Sequence, residues 1–218
     1  MKKSIIVIVL VVIGLLGWFG YKNFLKQRSS GNLTNTQTPT ENTTAKTPLT
    51  PEIEAVLVKK LQLLETLAKQ PNLLSAIEAQ NVKNTGLTQS KIKELDNAWI
   101  ATKGTDEFIN SFLTNSTANA LATFQDNNPG FVEIFATDKY GLIAGETNKT
   151  SDYLQSDEDW WVAAFSNGVG KSYHGEIEFD DSSKSESIAL YVPVYNSQKV
   201  TVGLIKGVFA ITAIQKEL

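Results

Sequence analysis

Cysteine is absent from the 218 residues. Its absence excludes disulfides, thiolate nucleophiles, zinc-thiolate sites and iron-sulfur clusters together. Arginine is nearly absent too. Arg28 is the only one, and it lies ahead of the part with a globular pattern, which therefore has no planar guanidinium fork for clasping a carboxylate or phosphate. Residues 1–28 lack acids and carry Lys2, Lys3, Lys22, Lys26 and Arg28. The rest of the chain holds 15 lysines against all 23 acids, a net charge of −8. That sign repels a phosphate backbone and no basic stripe interrupts it, so nucleic acid is set aside as a partner. Histidine occurs once, as His174 in a strand-like run where it reads as structural or surface, and a general base there would need a nucleophile and an orienting partner. No nucleophile elbow, P-loop or dinucleotide fingerprint is present. Asp152, Asp157 and Asp159 lack the compact spacing and turn glycine of a calcium loop. The chain reads as a non-enzyme with no cofactor and no metal.

What is present divides the chain in three. Ser4 to Gly20 runs without a charge for about 17 residues, or ~26 Å as a helix, close to the hydrocarbon thickness of a bilayer. Trp18, Phe19 and Tyr21 at its far end resemble an interfacial aromatic belt. No small-residue cleavage site follows, so residues 1–28 are expected to be a retained membrane anchor with flanking basic residues. Basic residues flank both sides and leave the orientation open. Residues 29–50 are dominated by Thr, Asn and Ser and cannot bury enough apolar surface to offset ordering, which describes a flexible tether. Residues 51–218 are about one domain's worth.

That domain reads as α+β. Thr50 followed by Pro51 and Glu52 is a helix start, and Ile53, Leu57, Leu61, Leu64 and Ala68 hold a 3.6-residue stripe to about Gln70. Further helical patterns fall near 72–80, 89–102, 106–113 and 117–126. After Pro129-Gly130 the pattern shifts to five strands, at 131–137, 141–147, 172–179, 187–195 and 200–211. Asp138 to Gly141 and Asn196 to Lys199 predict hairpin turns, and a solvated loop is expected at Asp180 to Ser183. A short helix near 158–165 crosses between the second and third strands. A helical N-terminal half leading into a five-stranded antiparallel sheet of this order is PAS-like.

The run from FATDKYG through DEDWWVAAF, with SYHGEI, IALYVPVYN and VGLIKGVFAI, resembles the Cache (PDC) family of extracytoplasmic sensor domains over about residues 95–212. The features that carry the resemblance are Asp138 to Gly141, the pair Trp160-Trp161, Pro193-Val194, and the glycine-rich final strand from Gly203 to Gly207. The resemblance implies a ligand-binding domain in signal transduction that faces away from the cytoplasm. In the amino-acid-binding branch the pocket motif is a Tyr, four residues, then Arg-x-Trp-Tyr, with a later Tyr and an Asp on the last strand. Tyr153, Trp160, Trp161 and Tyr173 match it. Glu158, however, stands at the arginine position, and no residue from Gly203 to Ile211 is acidic.

The residues themselves place Asp152, Asp157, Glu158 and Asp159 beside Tyr153, Trp160 and Trp161, and carboxylates beside aromatic faces suit a cation. An exposed acidic first turn ahead of core tryptophans is the alternative. Two adjacent helical residues cannot face the same core, so one tryptophan is expected at the pocket. Lys206, within an apolar strand, points either to solvent or into the site as its anion contact. The expected ligand site is thus Tyr153, Asp157, Glu158, Trp160, Trp161, Tyr173 and Lys206, for an amine, a cationic or a neutral polar solute. The expected protein is single-pass, held in the cell membrane by its N-terminal helix with its C-terminal domain periplasmic or extracellular. Since the sequence stops at Leu218 without an output module, a signalling partner protein is expected. The rival expectation is an envelope protein–protein interaction module that binds no small molecule.

Overall fold

Proline and capping side chains set where the helices begin. Residues 49–180 and 185–218 are described by a computed structural model. The apolar run Ser4 to Gly20, the tether up to residue 48 and most of the expected loop at Asp180 to Ser183 lie outside the described residues. Helix α1, Pro51–Ala68, opens on Thr50, whose hydroxyl accepts from the Ile53 N–H at 3.4 Å. Pro71 starts α2, Pro71–Asn84. Thr88, Asp106 and Asn115 cap α3 (Gln89–Ala101), α4 (Glu107–Leu113) and α5 (Ser116–Asn127) by the same device, each side-chain oxygen accepting from a backbone N–H three residues on. Among the described residues no helix is long and apolar enough to cross a membrane.

The second half supplies strands β1 (Phe131–Asp138), β2 (Ile143–Glu146), β3 (Tyr173–Asp180), β4 (Ser185–Tyr195) and β5 (Thr201–Ala210). They form one antiparallel sheet in the order β2-β1-β5-β4-β3, so the last strand is the central one. Helix α6, Asp159–Phe165, lies in the connection from β2 to β3, as the PAS-like pattern predicts. A short final helix α7, Ile211–Gln215, begins where the sequence pattern still reads as strand.

Side-chain alternation gives each sheet face its own core. On β5, Ile205 and Phe209 face the first layer, where Leu57, Leu64, Leu73, Ile77 and Leu121 of α1, α2 and α5 close over Ile134, Ile188 and Leu190. Gly207 lets α1 approach, since a Cβ there would stand 3.0 Å from a Leu64 methyl and 2.9 Å from the Phe131 ring. Lys206 projects to the opposite face. There Trp99, Phe112, Phe135, Leu142 and Tyr153 form a second cluster, and Trp161, Ala164, Tyr191 and Leu204 a third.

Strand β2 is shorter than the apolar run suggests. Asp138 Oδ1 accepts from the N–H groups of Tyr140 (2.9 Å) and Leu142 (3.0 Å), and Gly141 takes φ +78°, so the first residues of the run belong to the turn. Asn84 Nδ2 donates to the other Asp138 oxygen at 2.7 Å, tying the turn to α2.

Candidate functional site

One segment, residues 147–158, makes a wall over the second sheet face, and four anchors hold it. Glu146 Oε2 accepts from the Thr150 N–H and hydroxyl, both at 3.0 Å. The Trp99 indole N–H donates to the Thr150 carbonyl at 2.9 Å. Asp96 Oδ1 on α3 accepts from the N–H groups of Tyr153 and Leu154 at 2.9 and 3.0 Å. The Gln155 N–H donates to the Gly141 carbonyl at 2.7 Å, which sews the wall to the β1–β2 turn.

Between this wall, the N-terminal end of α6 and the sheet lies a hollow of about 350 Å³, lined by Asp152, Gln155, Glu158, Trp160, Tyr191 and Lys206 among others. Its floor is Lys206 in the middle of β5, flanked across the ladder by Phe135 and Tyr191. The Lys206 ammonium sits 5.2 Å from the centre of the Trp160 ring and 5.5 Å from that of Phe135, within reach of both π faces. Trp160 lies nearly parallel to Tyr191 at 5.0 Å and 13°, and Tyr173 packs on Tyr191 at 4.7 Å while its hydroxyl donates to the Trp160 carbonyl at 2.9 Å. The aromatic rings therefore brace one another along one side of the hollow.

Acids crowd the hollow. Asp152, Glu158, Asp159 and Glu178 all line the hollow, four carboxylates against one ammonium. Glu178 gets there by a bulge in β3: His174 pairs with Leu190 but Ile177 with Ile188, so the extra residue reverses the alternation beyond it. Partial burial raises the Glu158 carboxyl above its usual range, helped by the charges of Asp152 and Asp157 and opposed by Lys206. Asp152 is raised in the same way, burial first, while Ser151 and Gln155 hydrogen bonds work against it. Crowded, partly desolvated carboxylates gain from a cation that neutralises them.

The structure thus brings Glu158, Trp160 and Lys206 together on the hollow, with Tyr173 directly behind its aromatic wall. Asp157 is exposed and does not line the hollow. Two other expected site residues lie elsewhere. Tyr153 is 2% exposed, its ring packed against Trp99 at 5.5 Å and Phe112 at 5.4 Å and its hydroxyl against Asn84 and Gln80. Its side chain belongs to the second core, while its backbone N–H donates to Asp96. Trp161 is buried, stacked on Phe165 at 4.5 Å, with its indole N–H donating to the Thr137 hydroxyl at 3.0 Å. His174 bridges β3 to α1, its Nε2 standing 3.0 Å from Glu54 Oε2. Among the described residues no group of three or more His, Cys, Asp or Glu could hold a metal ion.

Glu178, Tyr191 and Gln155 were not singled out from the sequence. Tyr191 pairs with Lys206 across the ladder, a relation that could have been found by aligning the β4 and β5 alternation. Glu178 carried no such signal, because its side depends on the bulge.

No family model matches the chain, and no curated protein matches it. Solved structures similar to it include sensor domains of bacterial chemoreceptors and a histidine kinase. They include the ligand-binding domain of the Campylobacter jejuni chemoreceptor Tlp3 in complex with 4-methylisoleucine, at 15% identity and TM-score 0.37 over 77% of this chain and 63% of that one. A second is the ligand-binding domain of the Pseudomonas aeruginosa PAO1 amino acid chemoreceptor PctB in complex with L-Arg, at 13% identity and TM-score 0.39 over 76% and 54%. A third is the sensor domain of the V. cholerae histidine kinase DctB, at 12% identity and TM-score 0.41 over 75% and 54%. The chain spans between about half and two thirds of the length of these proteins.

Proposed function

We propose that this protein is a membrane-tethered, extracytoplasmic sensor domain that binds a small solute in the hollow over β5. One observation carries the reading: a charged, aromatic-walled cavity of about 350 Å³ sits where a helical crossover and an anchored loop meet the central strand. Pockets for small ligands combine fixed ring surfaces with a few converging polar groups, as this one does. The four carboxylates that line the hollow favour a solute that carries a positive group. Tethering follows from the charge-free run Ser4 to Gly20, and the extracytoplasmic side from the resemblance to Cache domains. A signalling partner would then receive the response.

Thermal unfolding of the full chain in detergent, screened against amines, amino acids, carboxylates and purines, tests the binding reading, because only a binder adds RT ln(1 + [L]/Kd) to stability. A shift with an amine-bearing solute, lost in Trp160→Ala, is expected. A flat response across the screen, with capture of an envelope protein instead, would favour the interaction-module reading. Topology has its own test. Protease added outside the cytoplasm should release a soluble domain by cutting between residues 29 and 48, whereas a soluble mature form beginning near residue 21 would refute the anchor.

A further inference from the structure

Thr150, in the wall over the second sheet face, has one hydroxyl proton and two acceptors near it. Its Oγ1 stands 3.0 Å from Glu146 Oε2 and 2.8 Å from the carbonyl oxygen of Asp152. If Glu146 is ionised, both neighbours can only accept, and one of the two contacts is left without a proton. If Glu146 is neutral with its proton on Oε2, that proton goes to Thr150 Oγ1 and the hydroxyl proton passes on to Asp152. Both contacts are then hydrogen bonds. Oε2 still accepts from the Thr150 N–H at 3.0 Å. The proton has no use on the other oxygen, because among the described residues Oε1 is buried without a hydrogen-bond partner.

The surroundings of Glu146 favour the same neutral form. Its side chain is fully buried, and the charged groups that act on it are Glu133 of β1, itself buried, and Lys149 of the wall. Helix α5, which also packs on β2, brings the uncharged Asn115, Thr117 and Ala118 there, and α4 brings the apolar Ile109 and Phe112. Burial pushes the Glu146 carboxyl up to about 7, with Glu133 adding to the rise and the Thr150 bonds and Lys149 opposing it. Ionisation thus buries a charge near a second carboxylate, with one oxygen unpartnered, and the relief is to let water in. Glu146 and Thr147 are held to β1 by the ladder and by the Thr147 bonds to Ile134. The part that yields is therefore the wall, starting at Thr150.

We infer that Glu146 is a proton-operated latch on this wall: neutral, it donates from Oε2 to Thr150 and through it braces the Asp152 carbonyl, and ionised, it lets Thr150 go. The latch is made below about pH 7 and lost above it, since it needs a proton that the folded state keeps up to there. Slack at Asp152 passes to Gln155, whose amide donates to the same carbonyl at 3.1 Å. Asp152, Gln155 and Glu158 line the hollow, so the proton sets how firmly one side of it is held. Only this last step rests on the hollow's being the binding site.

Hydrogen exchange of the full chain in detergent, read by mass spectrometry and corrected for the intrinsic effect of pH, tests the latch without any ligand. Between pH 6 and pH 8, peptides covering residues 147–158 should lose at least tenfold more protection than those covering 187–209, which report the central strands. In Glu146→Gln, which cannot ionise, that excess loss should fall below threefold. Thr150→Val removes the hydroxyl and should leave the wall as poorly protected at pH 6 as the wild type is at pH 8, whereas Thr150→Ser should behave as wild type. The infrared difference between wild type and Glu146→Gln should show a protonated carboxyl stretch at pH 6 and not at pH 8. Absence of that band at pH 6 would put the proton elsewhere and overturn the inference. A wall that keeps its protection to pH 8, or that loosens equally in Glu146→Gln, refutes the latch. Should Glu146→Gln fail to fold, the wild-type profile and the two Thr150 variants still decide. A flat ligand screen, by contrast, removes the reading of the hollow and leaves every one of these results in place.

Discussion

At the scale of single residues, the two adjacent tryptophans separate function from stability. Trp161 is buried with its indole nitrogen bonded to Thr137, so Trp161→Ala should cost about 3–5 kcal/mol of stability measured by urea unfolding. Trp160 is half-exposed at the hollow, and Trp160→Ala should remove ligand-induced stabilisation at a smaller cost in stability. Equal losses in both variants would contradict the assignment. Glu146 supplies a pH signature. Its side chain is fully buried, and burial pushes its carboxyl up to about 7 from an ordinary value of 4.5. The folded state therefore holds a proton that the unfolded chain releases, so this group's effect on stability worsens as pH rises from about 4.5 to about 7, by about 3 kcal/mol at most. Urea midpoints should be higher at pH 5 than at pH 8. In Glu146→Gln that drop should shrink, because the amide oxygen can still accept from Thr150 without a charge being buried. Burial raises Asp138 in the same direction, so the comparison is between variant and wild type; an unchanged drop would remove Glu146 from the account. Much of the site could be read at this scale. Glu158 and Lys206 stood out because charge within or beside an apolar pattern is costly without a purpose, and Trp160 because it belongs to the aromatic pair that carries the Cache resemblance. Tyr153 and Trp161 were drawn in by the resemblance to the Cache pocket motif and by their acidic neighbours, and contacts distant in sequence, such as Tyr153 N–H to Asp96 on α3, are not revealed by any local pattern.

At the scale of elements, the β1–β2 turn is the joint on which the wall of the hollow hangs. Gly141 has φ +78°, and a Cβ there would fall 2.6 Å from the Ser156 backbone nitrogen, so both the turn and the wall segment would have to move. Gly141→Ala should therefore lose about 2–4 kcal/mol of stability and, if the fold persists, loosen ligand binding as well, since the same residue's carbonyl holds Gln155. A variant with wild-type unfolding would show that the turn can relax at little cost. The elements themselves were legible for identifiable reasons. Helix starts at Thr50-Pro51, Thr88 and Asn115 carry side chains that satisfy otherwise orphaned N–H groups, and the turns at Asp138 and Asn196 carry side chains that accept from the backbone two and four residues on. Where local chemistry and hydrophobicity disagreed, the sequence pattern ran too far. Leu142 reads as strand but its N–H is taken by Asp138, and Ile211 reads as strand but opens α7. The β3 bulge was invisible because Gly175 and Glu176 look like ordinary strand residues until Leu190 and Ile188 fix the pairing on either side.

At the scale of the whole molecule, the question is where the cooperative unit begins. The described residues form one compact unit, and Leu49 and Thr50 at its start are already committed to it. Leu49 is half-buried against the core made by α1, α2, α5 and the first sheet face, and the Thr50 hydroxyl accepts the Ile53 N–H. The polar run before them shows no hydrophobic pattern to share with that core. A fragment of residues 48–218 should therefore be soluble and unfold in one cooperative transition, with coincident fluorescence and circular dichroism curves in urea. Shortening it to 51–218 removes the cap, worth about 1 kcal/mol, and the Leu49 contact, worth about another 1 kcal/mol for a half-buried side chain. The urea midpoint should fall while the slope of the transition stays nearly constant, because the surface exposed on unfolding hardly changes. Identical midpoints for the two fragments would show that α1 needs neither residue. Aggregation of the 48–218 fragment, reversed by restoring residues 29–47, would show that the polar run belongs to the folded unit after all.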